Sequence, residues 1–536
     1  MRFLTRASPS RPHRYINARR LAMATTTDST ATSFPFKMHV TPDNTGLWHI
    51  RQTDEAAKTV SELLQQDMEK HHVFFNQDGF HNHIPHQLLA LYGTGAPAST
   101  IRAAYAENET YQRPALPPHQ DLPVVPFLPW PGAAEPYFGQ EKYYPDFLRF
   151  FQEEIVRLGG WREVVARYVL GLDLGLKGIQ HHHHHHHHHH EHHHQHQDHH
   201  HRHHHQQQQQ QRTILGQPAA EEEDSPLLTR LFAGFLHPMI QLMYGIEWAQ
   251  EAVVAEGLAQ AAVHPGDIGE FLLAAERLAR ERQQNGGGGG DEPILSLLAS
   301  VRSNEKLAQA AKASDPNKVR DGVLARAKNE MISAAARVRV RPEEVEEKTA
   351  EMFNAAVFTA TAAALERVGR PGNAKPAKVD FFLMHHVTSA PFFVTVNAQP
   401  WIPPETKARL LEWKIRMDLL QYAARGAPEL SAEKLRSYQP RNPDAGSAVA
   451  EIIARLHTIS DDGHAIKLGR AIGICRNICQ PYEEEHPPKP WLAIRGDEMW
   501  KKVCHLVVDS VEGPGPLWVR STGFDEAWKD IPDVEA

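Results

Sequence analysis

Cysteine is nearly absent from this chain, with three among 536 residues. That excludes a disulfide scaffold and fits a reducing compartment. No run reaches the ~18 consecutive apolar residues of a membrane-spanning helix, so no span is expected. A strong excess of charge is also missing. At a net −8, nothing marks a nucleic-acid or anionic-membrane partner. The familiar cofactor and nucleophile signatures are missing as well. The string Gly93-Thr94-Gly95-Ala96 lacks a third glycine and any strand–helix–strand setting, so a Rossmann-type flavin or nicotinamide domain is not indicated. No Walker A loop, GxSxG elbow or HExxH helix occurs. Any chemistry must come from scattered residues gathered by folding.

What is present is ordinary globular material, 41% hydrophobic and 23% charged, with one outlier. Histidine occurs 37 times, and twenty of these lie between His181 and His205. The segment 180–212 is low in complexity and offers no apolar residue to bury, so it is expected to be a disordered insertion. A His tract can bind divalent metals, but a tolerated repeat in a surface loop explains it as well. The acidic 221–224 and the glycine-rich 283–292 are expected loops. Residues 1–37 are expected to be a disordered extension. Its first 22 residues carry six Arg and no acid. They fit a mitochondrial presequence or a start codon placed too early, before Met23. The second is favoured because the segment lacks a clean apolar face, and the expected location is cytoplasmic.

Between these segments the periodicity is helical. Val60, Leu63, Leu64 and Met68 share one helix face, as do Leu411, Ile415, Leu419 and Tyr422. Met239, Leu242, Met243, Ile246 and Val253 read as another. Ala is frequent from 249 to 365, which favours helix. HLVVDSV at 505–511 is the one strand candidate. The fold class is therefore all-α: one large globular domain over 38–532, interrupted by the insertion and the glycine loop.

Four groups of His outside the tract lie at or near the start of apolar helices. In GFHNHIPHQLLALYGTGA (79–96), Pro85 suits a first turn. His83 then sits just before the helix and His86 in its first turn. In HPMIQLMYGIEWA, His237 precedes Pro238 and a helix start, with Glu247 ten residues on as a candidate orienting acceptor. In DFFLMHHVTSAPFF, His385 lies among Phe381, Phe382 and Ser389, while His386 points about 100° away. In DDGHAIKLGRAIGIC, His464 shares a face with Leu468, Ala471 and Cys475. Each is read two ways: a metal ligand, or a core His satisfied by a hydrogen bond. Lys414, among Leu410, Leu411 and Met417, is either a nucleophilic amine of lowered pKa or half of an i,i+4 pair with Asp418. Cys475, Cys479 and Cys504 match no zinc pattern and read as small apolar side chains.

These strings, followed by LLEWKIRMDLLQYAARGAPEL and WVRSTGFDEAW, occur in an order that resembles the questin oxidase-like family of fungal oxidoreductases. The resemblance implies oxidative C–C ring cleavage of a hydroxyanthraquinone-type polyketide with O2. It also implies a non-haem Fe(II) held by four His and a carboxylated Lys. Carried over by motif, the ligands are His83 or His86, His237, His385 and His464, with Lys414 as the carbamate. The non-ligating member of His83 and His86 would be the base. NADPH is implied as a co-substrate, and no bound flavin is expected. Gln241 stands where relatives carry a second His, which weakens a ligand role there. The rival expectations are a metal-free NADPH-dependent Baeyer–Villiger monooxygenase, a non-catalytic helical protein binding an aromatic metabolite, and a metal-dependent hydrolase.

Overall fold

Apolar residues at helical spacing bury one stripe per helix, and stripes of this width must find one another. In the computed structural model the described residues are 36–119, 127–174, 225–286 and 292–534. The expected insertion at 180–212, most of the 1–37 extension, the acidic 221–224 and most of the glycine run lie outside them. Ten of the helices carry the site and its supports. They are α1 (Asp54–Lys70), α2 (Ile84–Gly93), α3 (Tyr144–Leu158), α4 (His237–Glu247) and α5 (Glu251–Val263). After these come α6 (Val345–Ala363), α7 (Phe381–Thr388), α8 (Pro404–Ala424), α9 (His464–Glu483) and α10 (Asp497–Glu512).

Among the described residues there is no strand or sheet, only three isolated bridges. The architecture is all-α around one core that runs from Phe36 to Val511. Helix α6 is buried along nearly its whole length and packs against α7, α8, α9 and α10. Helices α3, α4 and α5 form a second layer, and α2 bridges the two by packing on α4 and α9. Leu411, Ile415, Leu419 and Tyr422 of α8 are at most 1% exposed, as the spacing predicts. Each such side chain contributes about 1.5–3 kcal/mol by leaving water.

Two sequence expectations need correction. Val253 belongs to α5, because the chain breaks after α4 at Ala249, whose φ is 53°. HLVVDSV is helical, within α10. Trp500, Val503, Cys504, Val507 and Val511 are its buried residues at helical spacing. A window confined to 505–511 shows the β-branched residues and misses that longer stripe.

Local rules fix the ends that matter. Thr53 caps α1 by accepting from Ala56 N–H. Pro85 and Pro238 sit in the first turns of α2 and α4. Asp380 caps α7, accepting from Phe382 and Leu383 N–H through Oδ1. Its Oδ2 accepts from Ser521 and Thr522 N–H, which ties the C-terminal WVRSTG string to the helix carrying His385.

Candidate metal centre and active site

Four imidazoles meet where α2, α4, α7 and α9 converge. His83 is the N-cap of α2, His237 and His464 open α4 and α9, and His385 sits midway along α7. All four are at most 4% exposed. Each uses its Nδ1 to hold an acceptor. His237 Nδ1 donates to Gly234 O at 2.6 Å, and His385 Nδ1 to Phe381 O at 2.6 Å. His83 Nδ1 donates to Asp462 Oδ2 at 2.9 Å, and His464 Nδ1 donates to the other oxygen of the same carboxylate. These bonds set one tautomer for all four rings, with the proton on Nδ1 and a lone pair on Nε2.

The lone pairs then face each other in two pairs. His83 Nε2 lies 2.9 Å from His237 Nε2, and His464 Nε2 lies 3.2 Å from His385 Nε2. Two acceptors cannot satisfy one another, and protonation is not the remedy. Burial pushes His83, His385 and His464 down to about 3, and His237 well below its ordinary value. A cation between the nitrogens would be a remedy. Two nitrogens each about 2.1 Å from an ion and about 90° apart are separated by about 3 Å, which is the spacing found. The ligand nitrogens of His83, His237 and His464 all lie within 4.8 Å of one another, so these residues could hold a metal ion. Orienting Nδ1–H bonds to a carboxylate and to backbone carbonyls are what a metal-binding His needs behind it.

The backbone makes this convergence expensive in two places. Gly463 has φ 86°, and a Cβ there would meet Gln87 Cβ at 2.5 Å. Gly234 has φ 53°, and its Cβ would meet His264 Nε2 at 2.3 Å. Phe235 and Leu236 follow at φ 55° and 67°, so three successive residues are left-handed immediately before His237. For the two non-glycine residues that conformation costs about 1–3 kcal/mol each.

His86 does not join the four. Its Nε2 is 2.5 Å from Gln241 Oε1, and Gln241 Nε2 donates to Glu256 Oε2 at 2.7 Å. His86 Nδ1 is buried with no hydrogen-bond partner among the described residues. Gln241 is thus a partner of His86 rather than a ligand. Glu247 does not orient a His either. It is paired with Arg470 and accepts from Leu47 N–H.

Lys414, the carbamate implied by the resemblance, is fully buried but directed elsewhere. Its Nζ donates to Asp418 Oδ1 and approaches Met352 Sδ, and His386 Nδ1 meets the same Asp418 oxygen. The i,i+4 pair is present, and burial also lowers the Lys414 pKa. A different buried lysine serves the imidazoles. Lys467 stands one helical turn after His464 on α9, and its charge depresses His83, His86, His237, His385 and His464. Burial lowers its own pKa, and among the described residues its amine makes no hydrogen bond. Asp461, beside Asp462, is raised by burial and by its neighbour's charge.

A model of the questin oxidase-like family matches residues 80–472. The chain belongs to that family. The match contains every imidazole described here, with both lysines and Asp462. Curated relatives cover nearly the whole chain. The questin oxidase of Aspergillus fumigatus is 32% identical over 90% of this chain and 95% of its own. The Baeyer-Villiger oxidase ptaJ of Pestalotiopsis fici is 31% identical over 94% and 100%. The oxidoreductase AflY of Aspergillus parasiticus is 31% identical over 92% of each. The present family member is accordingly an oxidoreductase. No helix among its described residues is long and apolar enough to cross a membrane.

Three residues of this questin oxidase-like site escaped sequence reasoning. Lys467 is three residues after His464, and that i,i+3 spacing was a usable signal. Asp462 stands where an acid favours the start of α9, and it is the acceptor for two imidazoles. His264 pairs Nε2 to Nε2 with His81 at 3.0 Å, and His81 stacks on His237 at 4.0 Å. His264 precedes Pro265, the same dipeptide signal that marked His237.

Proposed function

We propose that this chain opens a ring of a hydroxyanthraquinone-type polyketide with O2, at a non-haem iron bound by His83, His237, His385 and His464. The observation that carries the reading is two facing pairs of buried Nε2 lone pairs, His83 with His237 and His385 with His464, with every Nδ1 proton already donated. The substrate class comes from relatives named for questin oxidation and Baeyer–Villiger chemistry. Iron, when bound, supplies the electrons that let ground-state O2 react with an aromatic ring.

The chain's own residues do the rest. Lys467 is the candidate fifth ligand. Burial lowers its pKa, so its neutral amine is accessible and can add CO2 to give a carbamate, releasing one proton. Asp462 fixes the rings of His83 and His464. His86 is the candidate base. Gln241 Oε1 holds its Nε2 proton, which leaves Nδ1 free to accept the proton of a phenol. If both atoms of O2 enter the product, no reductant is consumed. If one leaves as water, two electrons are required, and NADPH would supply them.

The test uses protein lacking residues 181–205, so that the His tract contributes no metal. Expected are about one iron per chain by elemental analysis and ring opening of a hydroxyanthraquinone only when O2 is admitted. Iron-free protein with full turnover overturns the iron, and turnover without O2 overturns the oxygenase. The Baeyer–Villiger names of relatives favour one alternative, a metal-free NADPH-dependent monooxygenase. Stoichiometric NADPH consumption by iron-free protein would establish it.

A further inference from the structure

Beside His385 and His464 the imidazole cluster is walled by aromatic rings. Phe381 lies 4.9 Å from His385 and 5.0 Å from His464. Trp518 lies 6.4 Å from His464. Phe235 lies 6.2 Å from His385 and 4.8 Å from Phe382. Phe235 is the anomalous member. It is 38% exposed, the one phenylalanine among the exposed large apolar side chains of the described residues, and it sits at φ 55°.

The left-handed turn through Gly234, Phe235 and Leu236 has one evident structural task, which is to present Gly234 O to His237 Nδ1. That task needs backbone only. A glycine at 235 would perform it with less strain, and a polar side chain would suit the exposure better. Folding therefore does not account for a phenyl ring at this position. Strain retained beside a reactive centre, with the ring held out of the core, points to something the ring must touch.

The charge around the wall narrows the ligand. The Arg425 guanidinium lies over the Phe382 ring at 4.1 Å, is 2% exposed, and forms no ion pair among the described residues. Its one hydrogen bond is from Nη1 to Ser521 Oγ, and its Nε has no partner. The neighbouring Asp380 carboxylate accepts four backbone N–H groups and attracts the Arg425 charge from beyond ion-pair distance. The exposed Arg520 lies over Phe381 at 4.9 Å. Two guanidinium groups backing an aromatic wall favour a flat ring that carries negative charge.

We propose that Phe235 and Phe382 form an aromatic subsite at the edge of the imidazole cluster, which holds a flat, multi-ring aromatic bearing an ionised hydroxyl by stacking. Phe235 is its specificity-determining residue. The inference rests on the substrate class proposed above and names the side chains that select it.

The test is an anaerobic absorbance titration of the full chain with 1,8-dihydroxyanthraquinone, which reads binding without turnover. Phe235→Gly is expected to weaken binding about tenfold, the loss of one aromatic stacking partner. Its iron content and Tm should match the parent, because glycine accepts the turn. Phe235→Tyr is expected to restore affinity to within about threefold. Parent-like affinity in Phe235→Gly overturns the subsite alone. Loss of iron in Phe235→Gly also overturns it, by assigning Phe235 to the support of His237. A parent chain that does not bind the probe overturns the substrate class and the subsite together.

Discussion

His385 and His386 are neighbours on one short helix, both buried, and they meet different fates. His386 turns towards Asp418, where a carboxylate and the Lys414 ammonium complete a closed set of donors and acceptors. His385 turns the other way, gives its proton to Phe381 O, and aims its Nε2 at the Nε2 of His464. One cluster is satisfied by the protein alone. The other leaves Nε2 lone pairs facing Nε2 lone pairs, which a cation would satisfy. Burial and a lowered pKa are common to both, so neither property separates a structural His from a ligand. The direction of the lone pairs does.

The strongest challenge to this contrast is a pair of substitutions. His385→Ala should abolish bound iron and turnover, while His386→Ala should keep iron and lose only stability, read by elemental analysis beside urea melts. Iron retained in His385→Ala would remove that residue from the ligand set. The two lysines sharpen the same distinction. Lys414→Met leaves the Asp418 carboxylate without its buried ammonium partner and should cost about 3 kcal/mol in a urea melt, with iron content unchanged. Lys467→Met should leave stability nearly intact, or raise it, and lower iron affinity. The reverse pattern would return the carbamate to Lys414.

The last check concerns pH. His83, His385 and His464 are held at about 3 in the metal-free fold, chiefly by burial, against an ordinary value of 6.5. The unfolded chain therefore binds more protons between those values. Stability of the iron-free protein should fall steadily as pH drops from 6.5 towards 3, and Tm should follow it. Replacing one of these His by Gln should flatten that slope. A Tm independent of pH across this window would contradict the buried, neutral imidazoles.

Much of this was legible beforehand. Leu411, Ile415, Leu419 and Tyr422 announced the buried α8, and the His237-Pro238 pair announced the start of α4. His83, His237 and His464 come close enough to share an ion, and His385 meets His464. What could not be read was which partner each polar side chain would find. Lys414 and Lys467 both stand in apolar helices; local pattern read Lys414 as the partner of Asp418, only the resemblance made it a carbamate, and Lys467 went unread. Asp418, at i+4 from Lys414, was visible, but only the approach of α7 shows that His386 shares it. Asp462 looked like an ordinary helix-start acid, and its hold on two rings depends on α2 packing against α9.

By itself the sequence determined the helices, their caps and the inward-facing stripes, because these follow from spacing along one chain and from backbone sterics. The tertiary structure decided the direction of each lone pair and proton. Those directions depend on contacts between segments as distant in sequence as His83 and Asp462, and only packing brings such groups within hydrogen-bond reach.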